Sequence, residues 1–565
     1  MSEYWRRFTD RRVSRRTAIR AMGSSALAAG LLTVVGCEGG SSGGPSSFPG
    51  QTTVAPDRPD VLNSAGAPQR GGVFHTSEAA EFGTFDPHIG IALASAYFPR
   101  VYNVLVNQSA AKPEFMVFDL ASRLEMPDDQ TFVFTIRPGV KVGPNNLGVP
   151  QRDLDPEDVR INIERIQSTP EASSYAFAHD YIASVTSSGD SVTIKTTSPY
   201  AWFLNRIGLF FNTIAPRELL LGDVSRMTSE AAGAGPFVLK TLREGQGAEF
   251  ERNPNYYRKD DATGEQLPYV DGIDLRVILD RSTARTAFIS GQLDRYVPGD
   301  AVEAADLAGD YVIQRDPNFS YVAFTMNHER RPFDDPRVRR AFSRAINRAP
   351  YVEIVYRGDA RPNGLVHWPV GSYALDPAEL AEIYQPFDLG EARQIGEQVG
   401  GIRVRMMYPG ETFLLEHDKH LPIFLQQMKD AGIEMDLEPL SLTNWIDRYY
   451  NRDYECSLAL NQIYETPEIP LGFHTISGPL GDGSYVQGLG DPEIEAAVKK
   501  SRETIELDER IRAVHDAQKL IYSKDPMMLP LVSGYTYQVY RSGVHDIAAG
   551  VGTTSFLLNT FWKET

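Results

Sequence analysis

The pattern of apolar and polar positions is clearest between residues 321 and 348. Tyr321–Met326 is a short apolar run with the length and composition of a buried strand. After a polar turn, Asp335 occupies an N-cap position and Pro336 the first helical position. The apolar residues that follow recur at helical spacing: Val338, Ala341, Phe342, Ala345 and Ile346. This pattern predicts a strand, a turn and an amphipathic helix.

Five arginines lie largely off the apolar stripe of this predicted helix: Arg337, Arg339, Arg340, Arg344 and Arg348. A group of arginines is suited to binding phosphate. Arginines on the polar side of a helix are more often solvated and paired with acidic neighbours. We therefore predict a solvated, acid-paired face rather than a phosphate site.

Helix and strand patterns alternate through the second half of the chain. The spacing predicts helices at 391–399, 421–431, 444–450 and 511–522, another begun by Asp491-Pro492, and strands at 403–407, 433–440 and 456–460. In the first half, 131–136 and 273–278 have strand patterns, and Asp155-Pro156 begins a helix. Such alternation indicates an α/β fold with a largely buried sheet.

Charge is distributed unevenly along the chain. The 565 residues carry a formal net charge of −18, yet residues 1–36 contain seven arginines against Glu3 and Asp10. That segment is near +5, which leaves the rest of the chain near −23. An acidic body of this size argues against a nucleic-acid partner and favours cationic or neutral ligands.

The basic N-terminal segment has the features of an export signal. Its apolar stretch, residues 21–35, is too short and too interrupted for a membrane-spanning helix. Ser14–Arg20 resembles a twin-arginine export motif, and Val34–Cys37 resembles a lipobox. We therefore predict a signal peptide at 1–36 and a lipidated Cys37 that anchors the mature chain to a membrane.

Residues 37–70 are rich in Gly, Ser and Pro and lack periodicity, so they are predicted to be a flexible tether. Beyond Cys37, the sequence contains one further cysteine, Cys456. An intramolecular disulfide is therefore impossible in the mature chain. Cys456 lies within an apolar strand pattern, which favours a buried, inert thiol over a nucleophile.

The sequence offers no convincing metal site or catalytic group. His417 and His420 are three residues apart, but the glutamate of a zinc-protease helix is absent and Lys419 repels a cation. We predict a surface pair of histidines there. The other eight histidines have no partner spacing, so we expect no metal, no cofactor and no catalytic residues.

Aromatic residues near predicted turns are the candidate ligand contacts. Ligand pockets are mostly apolar and contain a few placed polar groups. The alternative is that these aromatic residues anchor loops to the core. The candidate ligand-binding residues are Phe85, Trp202, Trp368, Trp445 and Tyr464, together with the acidic neighbour Glu465.

One segment resembles the signature of a known family. Asn327–Arg348 fits N-x4-PF-x-D-x-RVR-x-A-x-S-x-AI-x-R at every fixed position. The pattern is similar to that of family 5 solute-binding proteins, the extracytoplasmic receptors of ABC importers for oligopeptides, dipeptides, nickel and some sugars. Other segments resemble that family in the same order: Gly71–His75, Thr84–Pro87, Gly233–Phe237, Phe250–Tyr257 and Ala287–Asp294.

The resemblance implies an α/β, two-lobed periplasmic-binding-protein type II fold (cluster C) with an extra subdomain inserted in the first lobe. The implied division is a discontinuous lobe I at 71–113, 231–318 and 527–565, an inserted subdomain at 114–230, and lobe II at 319–526.

The resemblance also implies a binding protein rather than an enzyme. Such a receptor captures a peptide or similar small solute between its lobes by hinge closure and delivers it to an ABC permease and ATPase complex. It is expected to be a monomeric, membrane-anchored lipoprotein outside the cytoplasm. Two other functions stay open: a secreted hydrolase on an α/β scaffold, and a ligand-presenting sensor without a transport role.

The segment after the predicted strand at 456–460 departs from the family pattern. Oligopeptide-binding members have Asp-Tyr-x-x-Pro here, and the Asp holds the α-ammonium of the peptide. This chain keeps Tyr464 and Pro467 but has Ile463 at the Asp position, and Glu465 is a neighbouring acid. A buried ammonium without a carboxylate is costly, so peptides, sugars, nickel and other solutes all stay open as ligands.

Overall fold

The computed structural model describes residues 61–64, 66–79, 83–89, 94–108, 116–169, 181–260, 262–383, 387–410, 417–462, 466–476, 490–524, 528–548 and 560–564. The predicted signal peptide and Cys37 lie outside this described part, as do Tyr464 and Glu465. Within these ranges, none of the helices combines the length and apolar character needed to cross a membrane.

The first half of the chain contains thirteen described strands and six α-helices. The strands are β1 (Val61–Leu62), β2 (Val73–Glu78), β3 (Val106–Gln108), β4 (Met116–Phe118), β5 (Ala121–Asp128), β6 (Thr131–Ile136), β7 (Ile182–Ser188), β8 (Ser191–Thr196), β9 (Phe237–Arg243), β10 (Gly247–Arg252), β11 (Gly272–Val277), β12 (Arg295–Tyr296) and β13 (Val312–Pro317). The helices are α1 (Ala94–Val101), α2 (Pro156–Ser168), α3 (Phe203–Ile207), α4 (Arg217–Leu220), α5 (Arg281–Ile289) and α6 (Ala301–Asp306), with 3₁₀ turns at Phe210–Asn212 and Val224–Thr228.

Two four-stranded sheets are built from these strands. One has the order β2-β11-β10-β9, with β2 parallel to β11. The other lies within residues 114–230, the segment that is predicted to be inserted and is called the inserted segment below. This insert sheet is antiparallel and has the order β5-β6-β8-β7. Helix α2 begins with a capping box in which Asp155 accepts the N–H groups of Glu157 and Asp158. The predicted strand at 131–136 and the helix after Asp155 are confirmed.

The second half contains ten described strands and eight α-helices. The strands are β14 (Ser320–Met326), β15 (Ala360–Pro362), β16 (Ile402–Pro409), β17 (Ile433–Leu440), β18 (Cys456–Gln462), β19 (Met528–Pro530), β20 (Val532–Tyr540), β21 (Val544–His545), β22 (Ile547–Ala548) and β23 (Trp562–Lys563). The helices are α7 (Pro336–Ala345), α8 (Pro377–Ile383), α9 (Leu389–Gln398), α10 (His417–Asp430), α11 (Leu442–Tyr450), α12 (Glu468–Gly472), α13 (Pro492–Glu503) and α14 (Leu507–Ser523), with a π turn at Tyr351–Val355 and a 3₁₀ segment at Trp368–Tyr373.

A five-stranded sheet organises this half, in the order β17-β16-β18-β14-β19. Strands β16, β17 and β18 are mutually parallel and are connected by helices, as the alternating sequence pattern predicts. Strand β14 is antiparallel to both β18 and β19. The sheet has its own buried core, in which Phe324 lies at the centre of a group of aromatic rings.

Helix α7 carries the apolar stripe predicted for it, and three of its arginines pair with carboxylates: Arg337, Arg340 and Arg344. The prediction of a fully solvated face is wrong for Arg339, which is 5% exposed. Its guanidinium donates a hydrogen bond to the Phe333 carbonyl at 2.8 Å. Arg339 lies three residues before Phe342, at the margin of the apolar stripe. From this position its long side chain reaches the turn that precedes the helix.

Strand β20 pairs with β12, β13 and β15 in a neighbouring sheet. In the described chain, two short passages connect a strand of the five-stranded sheet directly to a strand of this neighbouring sheet. The first passage lies between Pro317 and Ser320, and the second lies between Pro530 and Val532. At the second passage, the Leu531 N–H donates to the Val322 carbonyl at 2.9 Å. The two halves are thus linked through two adjacent extended segments.

The largest buried cluster crosses the boundaries of the sheets. It joins Phe132 and Phe203 of the inserted segment to Phe250 in β10 and to Val514 and Ile521 in α14. The five-stranded sheet instead has a separate cluster made from residues 322–458 and 529–532. The inserted segment therefore packs both on the strands before β13 and on the C-terminal helices.

Candidate ligand-binding cleft

The carboxyl ends of the three parallel strands form one edge of the five-stranded sheet. Strand β16 ends at Pro409, β17 at Leu440 and β18 at Gln462. Ser320, the first residue of β14, pairs with Gln462, so the first passage between the sheets lies at the same edge. Open α/β sheets bind ligands outside the carboxyl ends of their strands. This edge, next to the linking segments, is the candidate cleft.

Trp445 is held at this edge by the helix that follows β17. The Ser441 side chain caps α11, which places Trp445 in the first turn. The indole N–H donates to the Ser457 hydroxyl of β18 at 3.0 Å. The Trp445 ring stacks on Tyr449 with centroids 4.8 Å apart, and Tyr449 stacks on Tyr454 at 5.2 Å. Tyr449 and Tyr454 are buried and Trp445 is half-buried, so the indole is the accessible end of a fixed aromatic column.

An ion pair connects the first half of the chain to the helix that follows β16. The ammonium of Lys419, in the first turn of α10, lies 3.4 Å from the carboxylate of Asp300. Asp300 also caps α6 by accepting the N–H groups of Val302 and Glu303. Partial burial opposes ionisation, but the Glu303 N–H and the charge of Lys419 hold the pKa of Asp300 below its ordinary value. Charged groups of both signs therefore meet where α10 leaves the cleft edge.

Trp368 lies against the second passage between the sheets. Its indole N–H donates to the Ser533 carbonyl of β20 at 3.1 Å, and its ring lies 5.2 Å from that of Tyr535. The guanidinium of Arg361 lies 4.8 Å above the Trp368 ring, and that of Arg315 lies 3.2 Å above the Tyr535 ring. Trp368 is half-buried and is fixed directly to the linking strand.

Phe85 and Trp202 are enclosed by other side chains. The Phe85 ring is 0% exposed and packs against Tyr97 and Phe250. Trp202 is 2% exposed, meets the Tyr373 ring edge-on and lies under the Arg510 guanidinium. These two residues belong to packed interior surfaces, and the structure does not bring them together with Trp445. Tyr464 and Glu465, the remaining predicted contacts, lie outside the described residues.

His420 corrects the prediction of a surface histidine pair. Its side chain is 0% exposed and lies between the rings of Tyr351 and Tyr356, each with its centroid 5.6 Å away. Position 420 falls on the inward side of α10, which the short local spacing of the two histidines did not reveal. Among the residues for which side chains are described, no group of three His, Cys, Asp or Glu side chains is placed to hold a metal ion.

Cys456 is buried, as the sequence predicts, and its Sγ donates to the Arg405 carbonyl at 3.5 Å. Burial raises the pKa of this thiol well above its ordinary value, and the nearby charge of Glu455 adds to the effect. A thiol in this environment is a poor nucleophile.

Glu468 is a charged residue near the cleft that sequence reasoning missed. It lies in the first turn of α12, after β18, and is 2% exposed. One carboxylate oxygen accepts hydrogen bonds from Tyr200 at 2.8 Å and from Arg206 at 2.9 Å, and the other lies 3.1 Å from Arg502. Because these partners lie far away in the sequence, no local pattern indicates the cluster. Oε2 accepts these hydrogen bonds, whereas Oε1 is buried and only faces the Arg502 guanidinium as an ion pair.

A cavity of about 660 Å³ adjoins this cluster at Arg502. Its wall includes Tyr181 of the inserted segment, Thr475, and the α13 side chains of Glu495, Lys499 and Arg502. Neither Trp445 nor Trp368 lines it. The cavity is thus distinct from the edge at which the aromatic column lies.

Comparison with known proteins places this architecture in a family. The family model described as "Bacterial extracellular solute-binding proteins, family 5 Middle" matches residues 116–479. The "Probable di/tripeptide-binding protein 5" of Pseudomonas aeruginosa (strain UCBPP-PA14) is 26% identical over 472 residues, which are 78% of this chain and 86% of that protein. The "Glutathione-binding protein GsiB" of Salmonella paratyphi A (strain ATCC 9150 / SARB42) is 24% identical over 491 residues, 80% of this chain and 87% of that protein.

A solved structure shares the fold. The periplasmic binding protein DppA of Helicobacter pylori, in complex with the peptide STSA, superposes with a TM-score of 0.72 at 20% sequence identity. The match covers 88% of this chain and 99% of that one. The two-lobed type II periplasmic-binding-protein fold expected from the sequence is therefore confirmed. With the family model matched over most of the described chain, this protein belongs to the bacterial extracellular solute-binding proteins of family 5.

Proposed function

We propose that this protein is the receptor of an ABC importer and that it captures a peptide or a similar small solute for delivery to a membrane permease. The observation that carries the proposal is the fixed aromatic column ending at Trp445, which lies at the carboxyl ends of β16 and β17 in the five-stranded sheet. The matched relatives are named as di/tripeptide-binding and glutathione-binding proteins, which supports a peptide-like solute for this chain.

We place the hinge between the two lobes at the two passages between sheets. Lobe I comprises 71–113, 231–318 and 527–565, the inserted subdomain 114–230, and lobe II 319–526. The separate buried core made from residues 322–458 and 529–532 supports a distinct unit around the five-stranded sheet, whereas α12, α13 and α14 share the larger cluster with residues 114–230. Two adjacent linking strands are the arrangement that permits hinge closure around a ligand.

Within the cleft, we assign Trp445 as the apolar platform for the solute. A ring already fixed by a hydrogen bond and by stacking loses little freedom on binding, which favours affinity. Tyr464 and Glu465 follow β18 and are proposed as further contacts, with Glu465 as the partner for a ligand cation. The ion pairs of Glu468 with Arg206 and Arg502 support this choice, since the next acid along the chain is buried and already paired.

The proposal is a binding role without catalysis. The matched family and the relatives named above are solute-binding proteins, so they lend no support to the hydrolase or to the ligand-presenting sensor. The buried, hydrogen-bonded Cys456 is consistent with this role. We further propose a monomer held to the membrane through a lipid on Cys37, on the strength of the lipobox-like sequence. Incorporation of labelled fatty acid, lost in Cys37→Ser, tests the anchor.

A thermal-shift screen of the full chain in mild detergent tests the function. The panel contains di- to hexapeptides, N-blocked peptides, oligosaccharides, Ni²⁺ and polyamines. A ligand present at a hundred times its dissociation constant adds about 2.7 kcal/mol to stability. We expect peptides to raise the unfolding temperature. If free and N-blocked peptides act alike, Glu465 is not the ammonium partner, and if only sugars or metal ions act, the peptide assignment is wrong.

A further inference from the structure

Two guanidinium groups interact with one carboxylate at the carboxyl end of β2. Glu78 is the last residue of β2, Arg295 belongs to β12, and Arg100 lies in the last turn of α1. The Nη1 of Arg295 donates to Glu78 and to Thr76, each at 3.2 Å, and its Nε donates to Gln538 at 2.5 Å. Although burial disfavours the charged form, Glu78 holds the pKa of Arg295 above its ordinary value. Arg295 is thus a paired cation.

Arg100 has no such partner. Within the described part of the chain its guanidinium forms no hydrogen bond or ion pair, and its Nε is buried. Burial lowers the pKa of Arg100 to about 10; the charge of Glu78 opposes this change and the charge of Arg295 adds to it. The group is therefore charged at neutral pH, and the dipole at the carboxyl end of α1 gives it only modest compensation. An unpaired charge in such surroundings lowers the stability of the folded chain.

The cluster lies at an edge where the two halves of the chain meet. Strands β2 and β11 are parallel and end side by side at Glu78 and Val277, and open sheets bind ligands outside such carboxyl ends. Asp300, five residues after Arg295, forms the ion pair with Lys419 that joins this edge to α10. The Glu78 and Arg295 side chains are 23% and 19% exposed, and that of Arg100 is half-buried. The cluster therefore reaches the surface on the side of the first half that meets α10.

The chemistry of the missing partner follows from the guanidinium. Its donors form a planar fork, which matches the two oxygens of a carboxylate or a phosphate. The formal net charge of the chain is −18, so the molecule as a whole repels a multiply charged anion. A solute with one carboxylate and a cationic or neutral remainder avoids that repulsion. The C-terminus of an unmodified peptide supplies such a carboxylate.

We propose that Arg100 binds a carboxylate of the captured solute at the carboxyl end of β2, and that Arg295 leaves Arg100 free for this contact by holding Glu78. The contact selects solutes that have a free carboxylate. Its assignment to the solute rests on the proposed function. The unpaired charge of Arg100 can be tested on the ligand-free protein.

Thermal unfolding of the ligand-free full chain, in mild detergent, tests the unpaired charge. Arg100→Met removes the charge and keeps an unbranched side chain, so the unfolding temperature is expected to stay the same or to rise. Arg295→Met is the matched comparison, because it deprives the Glu78 carboxylate of its partner and is expected to lower the unfolding temperature. A lower unfolding temperature in Arg100→Met means that this side chain stabilises the fold, and it overturns the proposal.

Isothermal titration with a free peptide from the panel and with its C-amidated form tests the contact. We expect the unaltered protein to bind the free form at least tenfold more tightly and Arg100→Met to lose that difference. Arg152→Met is the control, since Arg152 pairs with Asp158 and Glu218 inside the inserted segment; it is expected to keep the difference. Equal affinity for the two forms, a difference that survives in Arg100→Met, or loss of the difference in both variants overturns the proposal.

Sodium acetate, compared with sodium chloride at equal ionic strength, separates this inference from the proposed function. If no panel member binds, but acetate raises the unfolding temperature of the unaltered chain and not that of Arg100→Met, the carboxylate contact stands and the proposed function is wrong. If neither the panel nor acetate has an effect, both are wrong. If peptides bind without regard to their C-terminal carboxylate, or if only a solute without a carboxylate binds, the carboxylate contact is wrong.

Discussion

Phe324→Ala is expected to destabilise the five-stranded sheet selectively. The Phe324 ring is 0% exposed and lies 4.9 Å from that of Phe342 and 4.8 Å from that of Phe424. A buried phenylalanine covers about 150–250 Å², which at about 25 cal/mol per Å² corresponds to roughly 4–6 kcal/mol. Phe→Ala substitutions in cores cost about 3–5 kcal/mol. We therefore predict a loss of about 4 kcal/mol in the free energy of opening this sheet.

Native-state hydrogen exchange resolves where that loss occurs. Because Phe324 belongs to a core separate from that of the insert sheet, amides of β14, β16 and β18 are expected to lose protection while those of β6 change little. Phe132→Ala is the matched control: its ring is 0% exposed in β6 and lies 4.3 Å from Phe203. In Phe132→Ala, amides of β6 are expected to lose protection while those of β14, β16 and β18 change little. Equal loss of protection in both sheets, for either variant, refutes the assignment of two cores.

Buried polar groups at Ser457, His367 and Cys456 allow three further tests. Ser457→Ala removes the acceptor of the Trp445 indole N–H and is expected to cost about 1 kcal/mol in denaturant unfolding; an unchanged midpoint contradicts the fixed column. Burial lowers the pKa of His367 to about 3 and that of His474 to about 4. Below about pH 6.5 the unfolded chain therefore binds protons that the folded chain does not. The free energy of unfolding then falls as pH decreases, by about 1.4 kcal/mol per pH unit for each histidine. His367→Asn is expected to flatten this dependence on pH, and an unaltered slope contradicts the low pKa of His367. Cys456 is expected to be alkylated only after denaturation, as mass spectrometry of its peptide would record, and rapid labelling of the native protein contradicts its burial.

Elements determined by local sequence were predictable from the residues alone. The caps Asp155 and Asp335 locate the starts of α2 and α7, because a side-chain acceptor followed by proline satisfies the free N–H groups of a helix start. The predicted strand at 433–440 has the observed bounds, and the parallel arrangement of β16, β17 and β18 follows from the alternation of helix and strand.

Side-chain surroundings set by distant parts of the chain were not predictable. Arg339 and His420 are both buried although their types and local spacing favour the surface. The partners of Glu468 lie up to 268 residues away, so the cluster exists only through tertiary packing. The family resemblance pointed to the segment after β18, but it gave no sign that Glu468 is already paired.

Isothermal titration of the unaltered chain and of Trp445→Ala, with the solute that the screen identifies, measures whether the solute binds at Trp445. We predict that the unaltered protein binds one solute molecule and that Trp445→Ala weakens binding at least tenfold, about 1.4 kcal/mol. Trp445→Phe, which keeps a stackable ring, is predicted to lose less. Equal affinity of all three proteins would contradict the placement of the solute at the carboxyl edge of the five-stranded sheet.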